Sequence, residues 1–258
     1  MAYKPLKLWF DQEMALLLIQ KLKEVNASFD ESQFIKQSQD SYLINKELKD
    51  RVSYFADVLE RTIHGTFKEK AHLLAKVLGP ENDLEEGMFK TYYWIMPIAK
   101  WVETYGLEDF ETSMSLIEEI TKRNTGEYAI RPFIERHPKQ TMQQLYVWSE
   151  HPNKHVRRLA SEGPRPRLPW AKKLTIFIDD PSPILPILDT LKDDDSKYVQ
   201  KSVANCINDI LKDNPVIAKK MLQDWSKNAG KNRQWIIKHA LRNLRKKEDP
   251  WALELCQF

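Results

Sequence analysis

Glycine is scarce in this chain. Seven occur among 258 residues, at Gly65, Gly79, Gly87, Gly106, Gly126, Gly163 and Gly230. No two lie at the spacing of G-x-G-x-x-G or G-x-x-x-x-G-K-[ST], which excludes the dinucleotide and P-loop phosphate cradles. Cysteine is scarcer still: Cys206 and Cys256 are too few for a disulfide framework and have no metal-ligand spacing. No run of 18 apolar residues exists, so no helix is expected to span a membrane. The opening Met1-Ala2-Tyr3-Lys4, leading into Leu6-Lys7-Leu8-Trp9-Phe10-Asp11, is too short and interrupted for a signal peptide. A reducing cytoplasm is the expected compartment. Strand-like alternation is missing as well, since no segment of real length repeats with period two.

What is present is charge, unevenly placed. The formal net charge is +3, yet residues 1–150 carry 19 Lys/Arg against 24 Asp/Glu, and residues 151–258 carry 21 against 13. Within the second half, 151–173 holds seven basic residues and one acid, Glu162; 219–247 holds ten and one acid, Asp224. The stretch between them, 174–218, is net −4. A charge run is ordinarily a solvated helix face. Two basic blocks at a repeat-like interval point instead to a groove for a polyanion.

Nearly every segment reads at helical period. Helices are expected at 47–63, 67–78, 88–105, 109–122, 127–136, 139–150 and 153–162. An irregular Pro/Arg-rich loop, Pro164 to Pro169, intervenes, and helices resume at 171–178, 183–192, 196–212, 215–227 and 232–246. The C-terminal half also repeats: Val156-Arg157-Arg158-Leu159-Ala160 aligns with Val199-Gln200-Lys201-Ser202-Val203 and with Ile236-Ile237-Lys238-His239-Ala240, at offsets of 43 and 37 residues. That interval matches two-helix repeats of HEAT type, which stack because no pair buries its apolar face alone. The expected fold is all-α, a curved superhelical solenoid of HEAT-like repeats. Without a Ser/Gly linker, residues 1–258 read as one domain, acidic over 1–120 and basic over 121–246. In the stack, one column of equivalent positions reads Arg158, Lys201, Lys238. One helical turn on, another reads Glu162, Asn205, Arg242. These polar columns are expected to face a groove or solvent, and a basic column along a concave face suits a phosphate backbone.

The segment His155 to Trp170 is the most unusual. Gly163 and Pro164 end a helix at Glu162, placing a carboxylate at the negative end of the helix dipole. Glu162 is either the i,i+4 partner of Arg158, in the weaker order for such a pair, or a functional acid. The prolines after it hold the loop near polyproline geometry, so Arg165 and Arg167 would be presented on a stiff strand, with Arg157, for phosphate contacts. Trp170 is either core or a stacking surface. Glu127, in Thr125-Gly126-Glu127-Tyr128-Ala129-Ile130-Arg131-Pro132-Phe133, is expected in the first turn of a helix, where the dipole favours it anyway. Other templates fail. His151 and His155 are separated by Pro152 with no Glu after His151, and there is no G-x-S-x-G. Apolar positions such as Phe89, Tyr93, Met96 and Ile98 read as core.

At these residues the sequence resembles the AlkC family of DNA alkylation repair proteins. The likeness covers almost the whole chain: Pro5-Leu6-Lys7 with Phe10-Asp11, Tyr105-Gly106-Leu107 with Asp109-Phe110, Ala129 to Phe133, His155 to Trp170, Ser202 to Asn205 with Asn208-Asp209-Ile210 and Lys212-Asp213, and Trp235-Ile236 with His239 to Arg242. The resemblance implies a DNA glycosylase, acting on duplex DNA, that removes cationic alkylated bases of the 3-methyladenine type without metal or cofactor. It places the family's active-site carboxylates on Glu127 and Glu162, its neighbouring arginine on Arg158 and its lesion-side tryptophan on Trp170. The related AlkD group has a tryptophan four residues ahead of its catalytic acid; the position here is Arg123. A monomer is expected, and because the chain ends soon after the last repeat, the C-terminal immunoglobulin-like domain some relatives carry is expected to be missing.

Backbone contacts in this reading fall to Arg157, Arg165, Arg167, Lys201, Lys238 and Arg242. The competing reading is a non-catalytic HEAT-repeat scaffold for DNA or protein, which would have no need of both carboxylates.

Overall fold

Apolar residues at helical spacing, capping side chains and prolines at helix starts leave no place for a sheet, and every regular element among the described residues is helical. The computed structural model describes residues 4–85 and 91–258. In chain order the α-helices are α1 (Gln12–Val25), α2 (Glu31–Gln37), α3 (Leu48–Thr62), α4 (Phe67–Val77), α5 (Met96–Tyr105), α6 (Phe110–Thr121), α7 (Arg131–Arg136), α8 (Pro138–Ser149), α9 (Lys154–Glu162), α10 (Thr175–Asp179), α11 (Leu185–Thr190), α12 (Lys197–Asp213), α13 (Pro215–Ser226), α14 (Lys231–Ala240), α15 (Arg242–Lys246) and α16 (Pro250–Leu255).

Their starts are chemically marked. Asp11, Asp109, Asn153, Ser196 and Asp249 each accept a backbone N–H of the following first turn. Thr66 and Glu69 form a reciprocal capping box at α4. Pro138, Pro215 and Pro250 stand at the first helical position, where no backbone N–H is missed. Gly106 caps the end of α5, where a Cβ would run into the Ser113 hydroxyl and the Val102 carbonyl.

Several boundaries differ from the sequence reading. The helix expected from 127 starts at Arg131, and the one expected over 232–246 breaks at Leu241 into α14 and α15. The helix expected over 171–178 is the single turn and a half of α10. Met88 and Phe89, expected to open an aromatic helix, lie outside the described residues. Ile98 is core, while Tyr93 and Met96 are half-buried.

The chain forms two compact units. The first runs to Asn82 and resumes up to Pro132; the second takes 83–85 of the described residues and Phe133–Phe258. In the first, the stripe of α3 buries Val52, Phe55, Val58 and Leu59, and Trp101 stacks on Phe67 at 4.8 Å. In the second, α12 is the axis. It buries Val199, Val203, Cys206, Ile207 and Ile210 and packs against α9 on one side and α14 on the other.

The repeat register read from the sequence is therefore realised in space. Ser161 of α9 hydrogen-bonds Ser202 of α12 at 2.7 Å. The equivalent positions Asn205 and Arg242 meet directly, Arg242 Nη2 donating to Asn205 Oδ1 at 2.9 Å. Asn208 Nδ2 donates to the Ala240 carbonyl at 2.7 Å, tying α12 to the end of α14.

Candidate active site

Glu162 is the last residue of α9 and is 5% exposed. The column it belongs to was expected to face an open groove, but at this member the carboxylate is covered. Two guanidinium groups meet its Oε1: Arg165 Nη1 donates at 2.7 Å, and Arg158 Nη2 lies at 3.4 Å. Arg158 also lies over the Tyr198 ring, 4.9 Å from its centroid, and His155 meets the same ring edge-on at 5.5 Å. Burial by itself would push the Glu162 carboxyl up. The neighbouring Arg158 and Arg165 charges outweigh it and hold the group below the usual carboxylate range, so it is ionised at neutral pH. The i,i+4 contact to Arg158 expected from the sequence exists and is longer than the contact to Arg165.

Arg165 was expected on an extended, proline-stiffened strand. The segment after Gly163 instead folds into successive turns: the Arg165 N–H returns to the Glu162 carbonyl at 3.3 Å, and the Leu174 N–H closes onto the Pro166 carbonyl at 3.1 Å. The prolines fix the turns rather than extending the chain. This curls both arginines back onto α12. Arg165 Nε donates to Asp209 Oδ2 at 2.9 Å, and Arg167 grips Asp213 with Nε at 2.7 Å and Nη2 at 2.6 Å. Arg157 does the same with Asp194, at 2.6 and 3.2 Å, and adds the carbonyls of His151 and Pro152.

Three arginines read as phosphate ligands thus have acids of their own unit as partners. Arg165 is 7% exposed, and its charge is reinforced because Glu162 and Asp209 more than offset the cost of its burial. Of the remaining cations, Arg242 donates to Asn205 and to the His239 carbonyl, and Lys238 reaches the Phe258 carbonyl at 2.9 Å. Lys201 is exposed and makes no hydrogen bond or ion pair among the described residues.

Trp170 resolves the choice left by the sequence: it is 76% exposed and so not a core residue. It also has a φ of +67°, a left-handed backbone that a bulky residue rarely adopts. Glu127 lies in the first unit, in a turn that precedes α7 rather than in a helix's first turn. It is 8% exposed, and its Oε2 accepts from the Thr125 hydroxyl at 3.0 Å.

Sequence reasoning did not assign Asp194, Asp209 and Asp213. The signal for the last two was their i,i+4 spacing on one face of α12, matched to arginines two apart in the loop. Among the described residues no group of His, Cys, Asp or Glu is arranged to hold a metal ion, and no helix is long and apolar enough to cross a membrane.

A profile described as DNA alkylation repair enzyme matches residues 44–244. The chain is 38% identical over 250 residues to an uncharacterized protein, YhaZ, of Bacillus subtilis strain 168, covering 97% of this chain and 67% of that one. Its structure is similar, with a TM-score of 0.90 and 33% identity, to the Pseudomonas fluorescens alkylpurine DNA glycosylase AlkC bound to DNA containing an abasic site analog. That likeness covers 98% of this chain and 68% of the solved one. The chain belongs to the DNA alkylation repair enzyme family and is of AlkC type. It spans about two thirds of the length of each of these relatives.

Proposed function

We propose that the protein is an alkylpurine DNA glycosylase that hydrolyses the N-glycosidic bond of cationic alkylated bases, of the 3-methyladenine type, in duplex DNA. The observation that carries this reading is Glu162, a buried carboxylate kept ionised between Arg158 and Arg165 in a chain of AlkC type. A base alkylated at a ring nitrogen carries positive charge and leaves as a neutral molecule, so no proton has to be delivered to it. The step that needs help is the growth of positive charge on the sugar and the approach of water. A fixed anion serves the first and a carboxylate acceptor serves the second, as in glycoside hydrolysis.

Glu162 is assigned the electrostatic role. Glu127 is assigned as the second carboxylate on the likeness of its motif to the family's. Arg158 holds Glu162 ionised. Trp170, exposed at the end of the turn-rich loop, is assigned a stacking contact with the damaged nucleotide, worth about 1–3 kcal/mol per base in general. Phosphate contacts are assigned to Lys201 with the exposed cations of 219–247, because the arginines of 151–173 have acid partners.

The test is incubation with methylated duplex DNA and chromatography of the released base. Free 3-methyladenine at enzyme-dependent rate is the expected result. Normal DNA binding with no base released would overturn the reading in favour of a DNA-binding scaffold.

A further inference from the structure

We propose that Asp209, acting through Arg165, is a positioning residue for Glu162. This rests on the proposed glycosylase reading of that site.

Arg165 is hydrogen-bonded to both Glu162 and Asp209. A guanidinium is planar and its N–H directions are fixed relative to one another. Once Nε–H is set on Asp209 Oδ2, the direction of Nη1–H is set too, and it points at Glu162 Oε1. Asp209 supplies a firm reference because it comes from α12, the helix held on both sides by α9 and α14. It is 2% exposed, with Lys212 Nζ at 3.1 Å as a further partner.

Simple attachment of the loop to α12 does not account for this geometry. One turn further along α12, Arg167 already provides attachment, with both hydrogen bonds spent on Asp213. Arg165 divides its donors between two carboxylates instead. With Nε on Asp209, the Nε/Nη2 edge of Arg165 is not offered to Glu162, and Arg165 meets that carboxylate through Nη1 at one oxygen. Removing Asp209 frees Arg165 to swing onto Glu162 in a two-pronged pair.

The experiment is a double-mutant cycle read by single-turnover base release from methylated duplex DNA, with DNA affinity and melting temperature measured on every variant. Asp209→Ala is expected to slow release by about 10²-fold, the scale of a displaced catalytic group, with affinity unchanged within about twofold. Asp209→Asn, which keeps an oxygen for Arg165 Nε, is expected to recover most of the rate. In a Glu162→Gln background, Asp209→Ala is expected to cost nothing further. An equal loss in both backgrounds would show a general structural role and overturn the proposal. So would full activity of Asp209→Ala, or a loss confined to affinity.

Assays are run where circular dichroism shows the variants folded. Should Asp209→Ala not fold, Arg165→Lys decides. One ammonium cannot fix two carboxylate directions, so a similar loss is expected, and wild-type turnover would overturn the proposal. If wild-type protein releases no base, the glycosylase reading falls and this proposal with it. An active wild type with an insensitive Asp209→Ala removes the proposal alone.

Discussion

The two basic blocks of the C-terminal half look alike in composition and differ in what their charges do. In residues 151–173, Arg157, Arg158, Arg165 and Arg167 meet Asp194, Glu162, Asp209 and Asp213, and Lys172 meets Glu135. In residues 219–247, Arg233 pairs with Asp193 and Lys227 with Asp224, but Lys220, Lys231, Arg245, Lys246 and Lys247 are exposed without an acid partner among the described residues. Of the acidic stretch between the blocks, Asp194, Asp209 and Asp213 pair with the first block and Asp193 with the second. A run of positive charge in a sequence is therefore not a measure of charge available to a polyanion. The four arginines of the first block, whose forks match carboxylates, are held by acids of the same unit, while the exposed cations of the second block, mostly lysines, keep their charge toward solvent.

The largest effect that would sharpen this contrast is on DNA binding. Replacing Lys220, Lys231, Lys246 and Lys247 together by Ala is expected to lower duplex affinity by more than tenfold at low salt and to reduce the steepness of its salt dependence by up to about four. Unchanged affinity would place the DNA contacts elsewhere.

The opposite outcome is expected for Arg157→Ala. It leaves Asp194, 5% exposed at its side chain, without its main partner, and should cost about 2 kcal/mol of stability with little change in the salt slope. A reduced slope with unchanged stability would return Arg157 to the DNA-binding set.

The pH dependence of stability has a definite sign. Glu162 titrates below its unfolded value of about 4.3, so its contribution is complete above that pH and is lost as pH falls toward the lower folded value. Asp213 acts in the same direction, its hydrogen bond from Arg167 holding it below the ordinary aspartate value. Stability should therefore fall more steeply below about pH 4 in the wild type than in Glu162→Gln, and parallel acid limbs would contradict the assignment. The smallest effect is for Lys201→Ala alone, a reduction of the salt slope by about one with stability unchanged.

Much of this was legible in the sequence. Helical periodicity and the 43- and 37-residue offsets gave the packing order of α9, α12 and α14, and the Asn205–Arg242 hydrogen bond joins positions aligned from sequence alone. The end of α9 at Glu162 followed from Gly163-Pro164. The acid partners did not, because Asp209 and Asp213 lie 44 and 46 residues from their arginines. Periodicity assigns a residue to a helix face but not to a partner across a loop. The turns of 163–174 were missed for a related reason: proline restricts φ alike in a stiff strand and in a tight turn, and only the returning hydrogen bonds distinguish them.

Glu162→Gln tests the central assignment most directly, through base release, DNA affinity and melting temperature measured on one variant. Sequence alone implied that stability would hold, since a charge at an unfavourable helix end is removed. The buried pairing with Arg158 and Arg165 reverses that expectation, and a loss of about 3 kcal/mol is expected because a buried counter-charge is removed from both arginines, Arg165 keeping Asp209. At a temperature where the variant is folded, release of alkylated base should fall by about 10²–10³ while DNA binding holds. Near-normal base release from a folded Glu162→Gln protein would show that the carboxylate serves only the ion-pair network, and would contradict the account.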